Sequence, residues 1–453
     1  MSPVTLKKAP RVMIAGTNSG CGKTTVVCAL LQALKNRGLD VMSFKCGPDY
    51  IDPMFHSQII GTNSMNVDLF FSSEEEAKGL FARHAKDVNV VEGVMGYYDG
   101  MAMDSDRASA YHVSTVLQTP VILVMNVRGM ALSAAALISG YQKFRNDAPI
   151  AGVIFNRASE GSYERLKKTV ENECGIPVLG YLPTDPDISL ESRYLGLITA
   201  SEIEGLQAKM QKLAAQAEKT LEIGRILELM QTAEPLEVPA LKVEKRENFR
   251  LAVAKDKAFC FYYRANLEML EALGAEIVEF SPVKDPILLE CDGLLLGGGY
   301  PELYADALEQ NVSMRAQIRT AIERGIPVMA ECGGFMYLCR DIAGKKMCGV
   351  FDTSVRSTGK LTRFGYAEIS AEEESLLFRP GDVIKGHEFH YWDAEDPGNA
   401  LNAQKPNGKT WRCGYVSDSL YAGYPHLYLP SCPEAAERFA EKCMEYRKRR
   451  TAQ

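Results

Sequence analysis

Gly16-Thr17-Asn18-Ser19-Gly20-Cys21-Gly22-Lys23-Thr24-Thr25 combines closely spaced glycines with one lysine and two adjacent hydroxyls. It follows the apolar run Val12-Met13-Ile14-Ala15 and precedes Val26-Val27-Cys28-Ala29-Leu30-Leu31, which reads as strand, turn and helix start. In that setting backbone N–H groups of Gly20, Gly22 and Thr25 converge on an anion, and the helix N-terminus adds a favourable dipole. Lys23 reaches the outer phosphates of a nucleotide such as ATP, and the Thr24 hydroxyl suits Mg²⁺. Five residues separate Gly16 from Gly22, one more than the usual form of this motif contains.

Two acidic loops follow apolar strands and fit beside such a site. Gly47-Pro48-Asp49-Tyr50-Ile51-Asp52-Pro53 comes after residues 40–45, and Glu92-Gly93-Val94-Met95-Gly96-Tyr97-Tyr98-Asp99-Gly100 after residues 88–91. Phosphoryl transfer needs carboxylate oxygens to hold Mg²⁺ next to the terminal phosphate, so Asp49 and Glu92 are the natural metal candidates, with Asp52 and Asp99 next. Asp52-Pro53 and Asp99-Gly100 also read as turns. Asn156, at the end of residues 150–155, could face a purine edge or cap a helix.

The second chemical stretch is Ala330-Glu331-Cys332-Gly333-Gly334, between the apolar Ile326-Pro327-Val328-Met329 and a helix starting at Phe335. A thiol on a strand-to-helix turn is held exposed, and the helix N-terminus favours its thiolate. The N–H of Gly333 can face an oxyanion. About 35 residues upstream, Gly297-Gly298-Gly299-Tyr300-Pro301-Glu302 follows another strand, and Gly298 there suits a second oxyanion donor. Of the six histidines, His387, His390 and His426 follow Cys332, and the residues alone leave the role of base open among them.

These residues require strand ends to hold them. Residues 11–15, 40–45, 88–92, 120–125, 150–155 and 177–181 read as strands, alternating with helical spacing near 24–37, 74–86, 107–118, 131–145 and 161–174. That alternation predicts a doubly wound α/β unit over 1–200 with a parallel sheet. Residues 201–232 read as one long helix or a helix pair, and 201–247 as a helical connector ending in a Pro-rich, charged break. A second α/β unit is expected over 248–453, with strands at 249–254, 275–279, 292–296 and 326–330 and helices near 264–273 and 311–324.

The bulk numbers agree with a soluble enzyme of two or three domains: 453 residues, 46% hydrophobic, 24% charged. A net charge of −7 gives no general field for nucleic acid, and Arg447-Lys448-Arg449-Arg450 reads as a helix-ending cluster. Apolar runs reach about ten residues, far short of the ~20 that span a bilayer. The twelve cysteines form no CxxC pair and no secretory signal precedes them, so reduced thiols in the cytoplasm are expected and zinc is not.

Taken together, these motifs resemble the cobyrinic acid a,c-diamide synthase family over nearly the whole chain. The first half is similar to the dethiobiotin-synthetase-like P-loop fold, whose members share the longer spacing from Gly16 to Thr24. The second half is similar to the cobyrinate/cobyrate branch of class I glutamine amidotransferases. The resemblance implies that Cys332 hydrolyses L-glutamine, with His426 rather than His387 or His390 as its base. Class I enzymes usually carry an acid two residues after that histidine; here Tyr428 stands there, and the resemblance supplies no third member. It further implies ATP- and Mg²⁺-dependent activation of side-chain carboxylates of cobyrinate or a related tetrapyrrole as acyl phosphates, which ammonia converts to amides. Hydrogenobyrinate and nickel-sirohydrochlorin are alternative substrates, and a nucleotide-switch ATPase a more distant reading. Tyr50, Ile51 and Asp99 are the implied substrate contacts, with Arg193 in a further matching segment, residues 190–197. A small homo-oligomer is common in such a family, although no stretch here specifies an interface.

Overall fold

Runs such as Val12-Met13-Ile14-Ala15 and Val121-Ile122-Leu123-Val124 are apolar on both sides of the pleat and need a sheet covered on both faces. The computed structural model, which describes residues 5–186, 205–238 and 247–452, provides one. In the unit formed by residues 1–240, seven parallel strands lie in the order Asn63–Val67, Val41–Cys46, Val88–Glu92, Arg11–Gly16, Val121–Asn126, Ile150–Asn156 and Val178–Leu182. Every residue of Arg11–Gly16 is buried. The helix Lys23–Asn36 starts directly after the glycine loop, with Gly22 as its N-cap in the left-handed region (φ 101°).

The edge strand Asn63–Val67 was not expected from its sequence, because Asn63, Ser64 and Asn66 break the apolar pattern. Its position explains the composition: it pairs on one side only, and Asn66 Nδ2 donates to the carbonyls of Gly47 (2.8 Å) and Asp49 (2.7 Å). The strand thereby braces the first acidic loop.

The stretch read as a connector is a helix pair, Leu206–Thr220 and Ile223–Gln231, and it packs into the first unit. Leu206, Met210, Leu213, Ala217, Ile226 and Met230 are buried in one cluster with Val26, Leu30 and Leu34 of the helix after the loop. The apolar spacing of the pair is thus a core-facing stripe, and the division between units falls after residue 240. Residues 187–204, with Arg193, lie outside the described residues.

The unit formed by residues 241–453 holds a six-stranded sheet ordered Ala275–Phe280, Phe249–Ala254, Gly293–Leu296, Val328–Glu331, Leu420–Gly423 and Tyr415–Ser417. The first five are parallel and the last is antiparallel. The unit adds a second sheet that alternation of strands and helices did not suggest. It is built on Phe351–Ala371 paired antiparallel with Ile384–Ala394, and the short strand His426–Leu427 joins its edge. Only the end of Phe351–Ala371 alternates buried and open positions, with Ala367, Ile369 and Ala371 turned inward, as in half-exposed antiparallel strands. The terminal helix Pro433–Thr451 ends in the basic cluster, where Arg450 meets Asp292 at 2.9 Å and Arg447 donates to the Asn248 carbonyl. Among the described residues, no helix is long and apolar enough to cross a membrane.

The packing of the helix pair is testable. Leu213 is fully buried in the first core, so Leu213→Ala should cost about 2–5 kcal/mol, read as a lower urea midpoint of the first unit. An unchanged midpoint would mean that the helix is not part of that core.

Candidate functional site

The first unit gathers its charged side chains where its parallel strands end, the place where ligands meet such sheets. Glu92, the last residue of Val88–Glu92, is fully buried. Its Oε1 accepts from the Thr24 hydroxyl at 2.7 Å and lies 3.0 Å from Lys45 Nζ. Lys45 Nζ also meets Asp52 Oδ2 at 2.5 Å. Asp49 Oδ1 accepts from the backbone N–H of Ile51 (2.7 Å) and Asp52 (3.3 Å), which fixes the acidic turn. The structure therefore brings Thr24, Asp49, Asp52 and Glu92 into one cluster.

Burial dominates the electrostatics here. It lifts the Glu92 carboxyl to about 7, with the Asp52 charge adding and Lys45 opposing. Burial, with Asp52 beside it, lifts Asp49 to about 6. For Lys45 burial opposes the charge, but Asp52, Glu92 and Asp49 outweigh it and hold the ammonium. Burial disfavours the charged Lys23, whose Nζ donates to the Met95 carbonyl in the second acidic loop.

Lys45 and His56 were missed in the sequence. Lys45 carries a signal, a lone charge inside Val41-Met42-Ser43-Phe44-Lys45-Cys46 just before a glycine turn. His56 carries none, because the irregular helical segment Ile51–Phe55 and His56–Ile60 folds it back under the strand. Its Nδ1 lies 2.8 Å from Ser43 Oγ and its Nε2 3.5 Å from Glu92 Oε2. Those last two atoms are buried without a hydrogen-bond partner.

The glycine loop is held from several sides. Asn156 Nδ2 donates to the Cys21 carbonyl at 2.9 Å, and a Cβ on Gly22 would overlap that side chain. Asn156 is thus a brace of the loop, whatever else it touches. Gly20 (φ 76°) is exposed, Thr24 and Thr25 are half-buried, and Tyr141 donates to the Thr17 carbonyl. In the second acidic loop Asp99 Oδ2 accepts from Gly96 N–H at 2.8 Å and is exposed, while Tyr50 and Ile51 are half-buried. Mg²⁺ generally takes one or two carboxylates plus substrate phosphates. The adjacent oxygens of Thr24 and Glu92, with the unpartnered Glu92 Oε2, fit that requirement. Among the described residues, no group of three or more His, Cys, Asp and Glu forms a metal cage by itself.

In the second unit Cys332 follows Val328–Glu331 and caps the short helix Gly333–Leu338. Its backbone sits at φ 49°, ψ −102°, a conformation that costs a non-glycine residue about 1–3 kcal/mol. Two hydrogen bonds hold it there: Cys332 N–H donates to the Gly423 carbonyl (2.8 Å) and Met336 N–H to the Cys332 carbonyl (2.9 Å). Gly334 permits the turn, since a Cβ there would overlap the Leu296 carbonyl. A Cβ on Gly333 would lie 3.1 Å from Gly299 N, so the two glycine motifs meet.

Cys332 is buried, which pushes its thiol up, and the charges of Glu302 and Glu388 add to the effect. Glu302 is itself lifted to about 7 by burial. A thiol so placed needs a base. The three candidate histidines now separate. His390 is engaged, with Nδ1 2.7 Å from the Trp392 carbonyl, Nε2 3.0 Å from Glu388 and its ring stacked on Tyr424. His387 lies opposite His426 in the second sheet, and burial lowers it to about 3. His426 follows Leu420–Gly423, the strand beside the Cys332 strand, and its ring lies where a Cβ on Gly298 would fall. Gly298 therefore lies against His426 and Gly333 against Gly299, whereas His390 is held by Glu388, which also meets Arg363 and Trp411.

Comparisons with known proteins match both halves of the chain to domain families. Residues 12–197 match the CobQ/CobB/MinD/ParA nucleotide binding domain, and residues 250–432 the CobB/CobQ-like glutamine amidotransferase domain. Cobyrinate a,c-diamide synthase of Caldanaerobacter subterraneus subsp. tengcongensis is 41% identical over 446 residues, 96% of this chain and 98% of that protein. Those of Priestia megaterium and Clostridium acetobutylicum are 38% and 41% identical, covering 97% and 92% of this chain and 98% and 97% of theirs. With such identity sustained from end to end, the chain belongs to the cobyrinate a,c-diamide synthase family.

Proposed function

We propose that this chain amidates the a and c side-chain carboxylates of cobyrinate, using ATP and ammonia released from glutamine. The observation that carries this reading is the co-occurrence, in one chain similar throughout to cobyrinate a,c-diamide synthases, of a phosphate loop ringed by carboxylates and a strained thiol beside a histidine.

At the thiol, His426 takes the Cys332 proton as sulfur attacks the side-chain amide carbon of glutamine. Gly298 and Gly333 N–H groups face the oxyanion, and the proton passes from His426 to the departing ammonia. Water then attacks the thioester, giving glutamate and restoring the thiol. At the nucleotide site, a substrate carboxylate oxygen attacks the terminal phosphorus of ATP and ADP leaves. Lys23 and the N–H groups of Gly20, Gly22 and Thr25 hold the phosphates during that displacement, and Asn156 braces the loop. Thr24, Glu92 and Asp49 would hold Mg²⁺, which when bound neutralises charge on the phosphate oxygens. Tyr50, Ile51 and Asp99 contact the tetrapyrrole. Ammonia adds to the acyl phosphate carbon, phosphate departs, and a proton is lost to give the amide. The sequence of steps follows from chemistry: a carboxylate is a poor electrophile until its oxygen becomes a leaving group.

Four variants test the assignment. Cys332→Ser should lower glutamine-dependent amidation at least ~1,000-fold while ammonium salts still support it; loss of both in a folded protein would rule out separate sites. Glu92→Gln or Asp49→Asn should depress ATP-dependent amidation roughly 100-fold and spare glutamine hydrolysis, and unchanged amidation would remove that residue from the metal site. Gly22→Ala, strained at its φ and overlapping Asn156, should weaken ATP binding by about tenfold or more in calorimetry; unaltered affinity would detach the loop from the nucleotide.

A further inference from the structure

Position 428, where an acid would orient His426, is a tyrosine whose ring packs edge-on against Tyr263 (5.8 Å, 77°). An acid reaches His426 from another element. Glu331, the last residue of the strand that delivers Cys332, is buried, and its Oε2 lies 3.8 Å from His426 Nδ1. Its Oε1 accepts from the N–H of Leu427, the residue after the histidine, at 3.0 Å. One carboxylate therefore binds the backbone beside the histidine and faces its ring. The turn leading to the histidine is fixed as well, since the Tyr421 hydroxyl donates to the Pro425 carbonyl at 2.8 Å.

We propose that Glu331 is the positioning residue for His426, replacing the acid that related glutaminases carry two residues after the histidine. The inference rests on the reading of Cys332 and His426 as a glutaminase pair. A carboxylate on the Nδ1 side fixes the tautomer and the ring plane, leaving Nε2 as the nitrogen available to the thiol. It also stabilises the imidazolium formed when the thiol proton moves. The 3.8 Å separation is longer than a hydrogen bond, and such contacts in unliganded sites shorten when substrate binds. Glu331 thus serves two elements at once: it ends the nucleophile strand and orients the base.

The test is a double-mutant cycle in the full-length chain with Glu331→Gln, His426→Ala and their combination. Gln keeps an oxygen that can accept the Leu427 N–H while removing the charge. Two readouts are followed: steady-state glutamine hydrolysis, and the rate at which 6-diazo-5-oxo-L-norleucine labels Cys332, detected by mass spectrometry. Glu331→Gln should lower kcat about 100-fold or more with KM within about twofold. In the His426→Ala background it should change the labelling rate less than about twofold, because residues acting as a unit are not additive. Multiplicative losses, or a change confined to KM, would overturn the proposal. Should Glu331→Gln not fold, Glu331→Asp, which keeps the charge but withdraws it by one methylene, should lose kcat with little change in KM; an unaltered kcat would overturn the proposal equally. A parent protein that neither hydrolyses glutamine nor accepts the label would instead overturn the underlying reading.

Discussion

The first unit depends on how a fully buried carboxylate is accommodated. Glu92 ends a central strand with no exposed surface, and an isolated charge there would be prohibitive. It is tolerated because Thr24 donates from the start of the helix after the loop and Lys45 approaches from the neighbouring strand. That pairing joins three pieces of the fold: the loop helix, the strand Val41–Cys46 and the strand Val88–Glu92. Lys45 then recruits Asp52, whose turn is fixed by Asp49. Without Lys45 the buried Glu92 would lose its countercharge, so the site's chemistry and the unit's core are not separable.

The second unit solves a different problem with a similar strand, turn and helix. Here the strand end holds a thiol rather than a charge, and the cost is backbone strain at Cys332. The strain is local and is held by the Gly423 carbonyl and the first turn of the short helix, while Gly334 lets that helix approach Leu296. In both units the chain leaves a parallel strand, turns sharply and enters a helix. Where the ligand is an anion, the turn offers N–H groups and a lysine; where it is an amide, the turn offers sulfur.

The parallel sheets were legible in the sequence because their strands are unbroken apolar runs, and the glycine motifs because their spacing is specific. The edge strand Asn63–Val67 was not, since its asparagines serve the neighbouring loop rather than a core. Nor was the antiparallel pair Phe351–Ala371 and Ile384–Ala394, whose charged residues and glycines dilute a period of two. At the candidate site, Lys23, Glu92 and Cys332 stand in motifs that local spacing marks, whereas Lys45 and His56 take their places only through long-range folding. Glu331 lies next to the nucleophile in sequence, yet its partner is 95 positions away, and no local pattern announces that pairing. His56 reaches Glu92 only through an irregular helix.

The two centres differ in how burial acts on their reactive groups. At the nucleotide site burial raises Glu92 and Asp49, and the same change disfavours the charged form of Lys23. Cationic and anionic groups are thus each poorly solvated before any ligand arrives. The phosphates of a bound nucleotide would offset that burial at Lys23, because a nearby negative charge favours the ammonium. At the thiol burial acts in the opposite functional sense, since it disfavours the nucleophilic thiolate. Attack by a sulfur so buried calls for a base that takes the proton as the new bond forms, rather than for a standing thiolate.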